Sequence, residues 1–208
     1  MARFDTDTLD AELANRLMTA LITPRPIAWI VTQDRAGNRN AAPFSFFNIL
    51  CSWPPIVAVG IQSRPGGAAK DTRANIEALG EFVVNLVPAA LTKAMNATSV
   101  PAEPGVDELA LAGLDILPST YVAPPRIAGS PVALECRLRQ SIAIGADRAI
   151  LLGNVLATHV SDRAVVDRDR CRIDATALDL IARMHGRGMY LRSTDLFTLP
   201  RPLTENQP

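Results

Sequence analysis

The residues whose types and spacing suit chemistry gather first in the stretch from Ser63 to Ile76, read Ser63-Arg64-Pro65-Gly66-Gly67-Ala68-Ala69-Lys70-Asp71-Thr72-Arg73-Ala74-Asn75-Ile76. An apolar run at residues 56–61 precedes it and reads as a buried strand, and a short helical pattern closed by Gly80 follows. A strand, a glycine-rich loop carrying two cations and a helix start make an anion site, because the first N–H groups of a helix are unpaired and its dipole favours negative charge there. Arg64 and Lys70 add full charges, and the hydroxyls of Ser63 and Thr72 can donate hydrogen bonds. A terminal phosphate is the natural ligand. The alternative is a solvated loop in which Asp71 or Thr72 only caps the helix. The stretch is not a Walker A loop, since Asp71 separates Lys70 from Thr72 and the glycine spacing differs.

A second chemical stretch is Asn40-Ala41-Ala42-Pro43-Phe44-Ser45-Phe46-Phe47-Asn48. Three aromatics interleaved with Ser45 and Asn48 suit a flat heterocycle, which needs apolar contact and a few directed hydrogen bonds. They also suit a plain core. Near the C-terminus, His185-Gly186-Arg187-Gly188-Met189-Tyr190 is a glycine-bracketed loop, with His185 and Tyr190 as the groups that could face a substrate or simply pack.

The elements that must position these groups follow from the pattern. Residues 8–20 carry Leu9, Leu13, Leu17 and Ala20 at helical spacing, and Thr23-Pro24-Arg25-Pro26 ends that helix. Residues 27–48 read as a hairpin turning at Asp34-Arg35-Ala36-Gly37-Asn38. Strands are expected at 81–87, 134–140 and 148–160, the last with a bend or bulge at Gly153, and helices at 89–98 and from Thr176 to Met184. An extended excursion with a short helix at 107–111 covers residues 100–129, and residues 162–172 read as a charged surface loop. About six or seven short-spaced strands joined by hairpins favour an antiparallel barrel over a doubly wound parallel sheet. The chain reads as a single domain over 1–208, with its core at about residues 20–200.

Composition excludes several classes. Lys+Arg and Asp+Glu balance at 21 each, so nothing in the charge points to nucleic acid. No apolar run reaches the roughly 18 residues of a membrane span, and Met1-Ala2-Arg3-Phe4-Asp5 lacks a signal-peptide core. Cys51, Cys136 and Cys171 lie far apart, which suits reduced thiols in a cytoplasm. With only His159 and His185 beside them, no zinc site is expected. A Ser–His–Asp set and a paired-carboxylate motif are also missing.

Taken in order, Thr23-Pro24-Arg25-Pro26-Ile27-Ala28-Trp29, the Asn40–Asn48 stretch, Pro54-Pro55, Lys70-Asp71-Thr72 with Asn75-Ile76, Gly80-Glu81-Phe82-Val83-Val84-Asn85, Leu134-Glu135-Cys136 and Arg183-Met184-His185-Gly186 resemble the flavin reductase-like family, which includes the flavoredoxins. The resemblance spans roughly residues 20–200. It implies an FMN-binding split β-barrel, mainly β and antiparallel with a few peripheral helices, usually a homodimer with each flavin near the subunit interface. It implies that Ser63, Arg64, Lys70 and Thr72 hold the FMN phosphate, that Phe44, Ser45, Phe46 and Asn48 line the isoalloxazine, and that Ala28 and Trp29 lie nearby. It further implies an NAD(P)H-dependent flavin reductase, with NADH or NADPH as donor and a partner oxygenase as recipient. A flavoredoxin-type carrier reduced by a protein donor, or a flavin-dependent oxygenase or oxidase of a small organic substrate, uses the same pocket. Cys51 stands where the family often has serine, and His185-Gly186-Arg187-Gly188 departs from its common double-glycine form.

Overall fold

The computed structural model describes residues 1–200 except Pro65, Pro104, Arg187 and Thr194; parts of the 63–76 and 185–190 stretches thus lie outside the described residues. Asp10 caps the opening helix α1 (Ala11–Leu21) by accepting the Leu13 N–H at 2.8 Å. The chain then forms β1 (Ala28–Gln33), β2 (Arg39–Phe44), β3 (Phe47–Ser52) and β4 (Pro55–Gln62). Helix α2 (Asp71–Leu79) leads to β5 (Glu81–Leu86), and α3 (Thr92–Ala97) and α4 (Glu108–Leu111) precede the long hairpin of β6 (Val132–Ile144) and β7 (Arg148–Val160).

The seven strands form one antiparallel sheet in the order β2-β1-β5-β6-β7-β4-β3. Its two edge strands, β2 and β3, are joined by residues 45–46 alone. Laid flat, seven strands at ~4.8 Å spacing would put those edges about 29 Å apart. Three Cα steps span only about 11 Å. The sheet must therefore curl until its edges nearly meet, and the Gly60 N–H donates to the Phe46 carbonyl at 2.7 Å, extending the β3–β4 ladder into the connection that closes the sheet. The result is a mainly β split barrel.

Strand β1 is buried on both faces, which explains its uninterrupted apolar run. Ala28 and Ile30 face the barrel interior with Phe44, Val59, Phe82 and Leu151. Trp29 and Val31 face a second core with Met95, Leu109 and Ile127, where the indole N–H donates to Thr98 Oγ1 at 2.9 Å. Ile76 of α2 fills the barrel from one end. At Gly153 the β6–β7 register shifts, and a Cβ there would collide with the Phe82 ring.

Three expectations are corrected. No side chain caps α2: Lys70 occupies the capping position, Asp71 is the first helical residue and Thr72 turns inward. The segment from Thr176 is a single 3-10 turn (Thr176–Leu178), stopped by Asp179 in the left-handed region, after which Ile181–Arg183 is a strand. Pairing overrides helix propensity there: Ile181–Arg183 lies between Arg25–Pro26 and Tyr190–Arg192 in a small sheet that brings the C-terminal segment back to the start of the barrel. The charged 162–172 loop likewise contains a short paired strand, Val165–Asp167.

Candidate functional site

At the end of the barrel where α2 begins, β2, the loop after β4 and the β6–β7 turn enclose a cavity of about 830 Å3. Phe44, Ser63, Arg64, Lys70 and Thr72 all line it. Lys70 reaches back over the Phe44 ring, with Nζ 5.7 Å from the centroid, which puts a cation and an aromatic face on one wall. Burial, and then the charge of Arg64, pull the Lys70 ammonium below its ordinary pKa. Arg64 itself is paired, with Nη2 2.8 Å from Asp71 Oδ2. Lys70 has no ion-pair partner among the described residues, so it is the cation with charge to spare.

Behind this wall runs a buried polar chain. The Thr72 hydroxyl donates to Asn40 Oδ1 at 2.7 Å, and Asn40 Nδ2 donates to Glu108 Oε1 at 2.9 Å. The other Glu108 oxygen accepts the Ala41 N–H at 2.9 Å. Burial raises the Glu108 pKa against these hydrogen bonds. The chain fixes the start of α2 against β2. It also commits the single Thr72 proton inward, so what Thr72 can offer a ligand is its backbone N–H and its oxygen lone pair.

A smaller cavity of about 240 Å3 adjoins the first and shares Pro43, Phe44 and Ser99 with it. Ser45 and Tyr190 line this second space, together with Met95 and Arg183. The Arg183 guanidinium stacks on Tyr190, with Cζ 4.8 Å from the ring centroid. His185 is exposed in the loop and lines neither cavity.

The fold thus brings Phe44, Ser45, Ser63, Arg64, Lys70, Thr72 and Tyr190 around two joined cavities. It sets four other residues apart. Ala28 and Trp29 are fully buried in the two cores. Phe46 and Asn48 are exposed at the barrel seam and on β3, where Asn48 Oδ1 accepts the Ile49 N–H at 2.8 Å. Sequence reasoning missed Asn40, Glu108, Arg148 and Arg183 as cavity residues. Asn40 is polar in a strand and Glu108 follows a capping Asp107, but only the folded register brings them together. Among the described residues, no group of three His, Cys, Asp or Glu side chains forms a metal cluster.

Comparison with known proteins agrees with this architecture. The family model described as "Flavin reductase like domain" matches residues 19–173. Component B of nitrilotriacetate monooxygenase from Bacillus cereus is 30% identical, with a TM-score of 0.90 over 96% of this chain and 98% of that one. The 2-nitrobenzoate 2-nitroreductase NbaA of Pseudomonas fluorescens is 28% identical, with a TM-score of 0.89 over 100% of this chain and 98% of that one. A split-barrel protein of Shewanella frigidimarina shares the fold at 24% identity and a TM-score of 0.80, over 94% and 96% of the two chains. The chain belongs to the flavin reductase-like family of flavoprotein oxidoreductases.

Proposed function

We propose that this chain is an NAD(P)H-dependent flavin reductase that uses FMN and supplies a partner oxygenase. One observation carries the reading. The larger cavity joins an anion end, made by Lys70 and the start of α2, to an aromatic wall at Phe44. A flavin mononucleotide needs those two features in one space, a phosphate at one end and a flat apolar ring at the other. The residues present therefore fit the cofactor. Lys70, Arg64, Ser63 and the Thr72 N–H would hold the phosphate, and Phe44 and Ser45 would border the ring. When bound, FMN supplies a hydride acceptor at N5 for the nicotinamide C4 and passes the electrons onward.

The chain's own residues orient, charge-balance and exclude water. The buried Asn40–Thr72 contact holds the anion end rigid, and residues 98–102 form part of the wall of the larger cavity. The B. cereus likeness, to one component of a monooxygenase, supports delivery to a partner oxygenase. The P. fluorescens likeness supports a second reading, direct reduction of a small organic substrate beside the flavin. We also place a second copy of this chain on β3, whose Ile49 and Leu50 are exposed next to Trp53, itself 87% exposed. Three unpaired cysteines accord with a cytoplasmic protein.

An absorbance spectrum of the purified protein, followed by anaerobic NADH and then NADPH, tests the assignment. A yellow protein that bleaches quickly with either nucleotide is expected. A colourless protein that also fails to bind added FMN would overturn it. A yellow protein that bleaches with NADH or NADPH and is then reoxidised anaerobically by a small organic acceptor would move the assignment to the second reading, and one that stays oxidised until a reduced protein donor is supplied would move it to an electron carrier.

A further inference from the structure

The second cavity carries a charge that its described lining does not balance. That lining includes Arg183 and, among the described residues, no acidic side chain. Across the small sheet, Arg25 is the register partner of Arg183, so two cationic side chains leave neighbouring backbone positions. Like charges on neighbouring positions normally share a carboxylate between them. Neither residue makes an ion pair among the described residues.

The two arginines are not equivalent. Arg25 is 8% exposed and is tied down by carbonyls: Nη1 donates to Thr19 and Ile22 at 2.7 Å each, and Nη2 donates to Met184 at 3.1 Å. Two of those carbonyls belong to the C-terminal end of α1, where the helix dipole favours a cation. Its Nε has no hydrogen-bond partner among the described residues. Burial, and then the charge of Arg183, lower the Arg25 pKa. Arg183 spends one donor on the Gly186 carbonyl at 3.0 Å and lies over the Tyr190 ring. A guanidinium has five N–H donors, so most of its fork stays available to a ligand. The contact with the ring restricts where that fork can point.

We propose that Arg183 is the anion-recognising residue of the second cavity, and that this space receives the carboxylate or phosphate-bearing end of the molecule that exchanges electrons with the flavin. At about 240 Å3 the space is below the range for drug-sized ligands and suits a single ring with one anionic substituent. Met95, Ile27 and the Tyr190 ring supply the apolar walls such a ring needs. The inference rests on the flavin reading for the cofactor at its side, and not for the existence of the site.

Benzoate and its neutral isostere benzamide are the probes, titrated by saturation-transfer NMR into the protein as purified. Benzoate is expected to bind at least tenfold more tightly than benzamide, and Arg183→Gln to abolish that preference. Arg183→Lys should recover part of it, and FMN retention should be the same in all three proteins. In parallel, a tenfold rise in the KM for NADH on Arg183→Gln, without benzoate binding to the wild type, would assign the anion to the dinucleotide phosphate and uphold Arg183 as its receptor. Equal binding of benzoate and benzamide, together with an unchanged KM for NADH in Arg183→Gln, would overturn the proposal. A protein that binds no flavin yet distinguishes benzoate from benzamide would retain this site and refute only the flavin assignment.

Discussion

The Thr72 hydroxyl donates to Asn40 Oδ1 at 2.7 Å, tying the first turn of α2 to β2 beneath the larger cavity. Thr72 is 1% exposed, so neither group has water as an alternative partner. Thr72→Val keeps the shape and leaves the Asn40 oxygen with only the longer 3.4 Å contact from Thr32. Leaving a buried acceptor short of its donor costs about 1–3 kcal/mol, or a fall of roughly 2–12 °C in melting temperature for a chain of this size. Thr72→Ser keeps the bond and should melt within ~2 °C of wild type. Calorimetry on the three proteins decides this, and a wild-type melting point for Thr72→Val would show that the bond contributes nothing.

Lys70 and Arg64 should prove unequal in holding an anion. Arg64 already faces Asp71 at 2.8 Å, whereas Lys70 is uncommitted. Removing one charge-assisted contact is worth about tenfold to a hundredfold in affinity. Lys70→Ala is expected to weaken FMN binding by that amount, and Arg64→Ala by less, in fluorescence-quenching titrations. Equal losses would mean that Asp71 releases Arg64 when the ligand arrives.

The same lysine sets a pH dependence. Burial and Arg64 lower the Lys70 pKa, so the ligand-free folded protein binds fewer protons than the unfolded chain between the lowered and ordinary lysine values. Across that alkaline window the ligand-free protein gains stability as pH rises, while affinity for a phosphate falls because the ammonium is being lost. Lys70→Arg stays charged throughout and should flatten the affinity profile. A profile as steep in Lys70→Arg as in wild type would place the titrating group elsewhere.

Gly153 is required by packing and not by backbone angle. The β6–β7 hairpin crosses the Phe82 ring at that point, with no room for a methyl group. Because Phe82 is fully buried, it has nowhere to move. Gly153→Ala should cost about 1–3 kcal/mol, typical of overpacking in a core, measured by urea unfolding. Pairing it with Phe82→Leu should recover part of that loss, since the smaller side chain vacates the contact.

What could be read from the chain alone follows from how local each signal is. The hairpin from residue 27 and the strands at 56–61, 134–140 and 148–160 announce themselves by apolar runs and turn residues, whereas the start of β3 lies hidden in a hairpin arm read as continuous to residue 48. The Gly80 stop of α2 is a left-handed C-cap with φ 74°. Lys70 and Phe44 were legible as chemistry because each sits in a stretch whose composition is odd for packing. Their meeting at 5.7 Å was not, because it depends on the closure of the sheet between its two edges. Glu108 and Arg183 escaped for the same reason: each becomes a cavity residue only through a partner far away in sequence, Asn40 in one case and Arg25 in the other. The helix expected from Thr176 failed where Asp179 turns left-handed and strand pairing takes over.

Glu135 makes the last prediction, at the other end of β6 and β7 from the cavities. It is fully buried, and its oxygens accept the N–H groups of Thr120 at 2.8 Å and Tyr121 at 2.6 Å, with His159 Nε2 2.6 Å from Oε1. Burial alone would raise its pKa, but the two N–H donors and His159 outweigh it and hold the carboxyl below the ordinary glutamate value. A depressed folded pKa means that the carboxylate stabilises the fold above the unfolded value, and that this contribution fades as pH falls through the folded one. Glu135→Gln turns an amide N–H toward donors that need an acceptor, at a cost of about 2–4 kcal/mol at pH 7. Guanidinium unfolding at pH 7 and again below the ordinary glutamate pKa should therefore show the gap between wild type and variant closing in acid. A gap that stays constant would mean that the loop at residues 118–122 is held by its backbone geometry and not by the charge on Glu135.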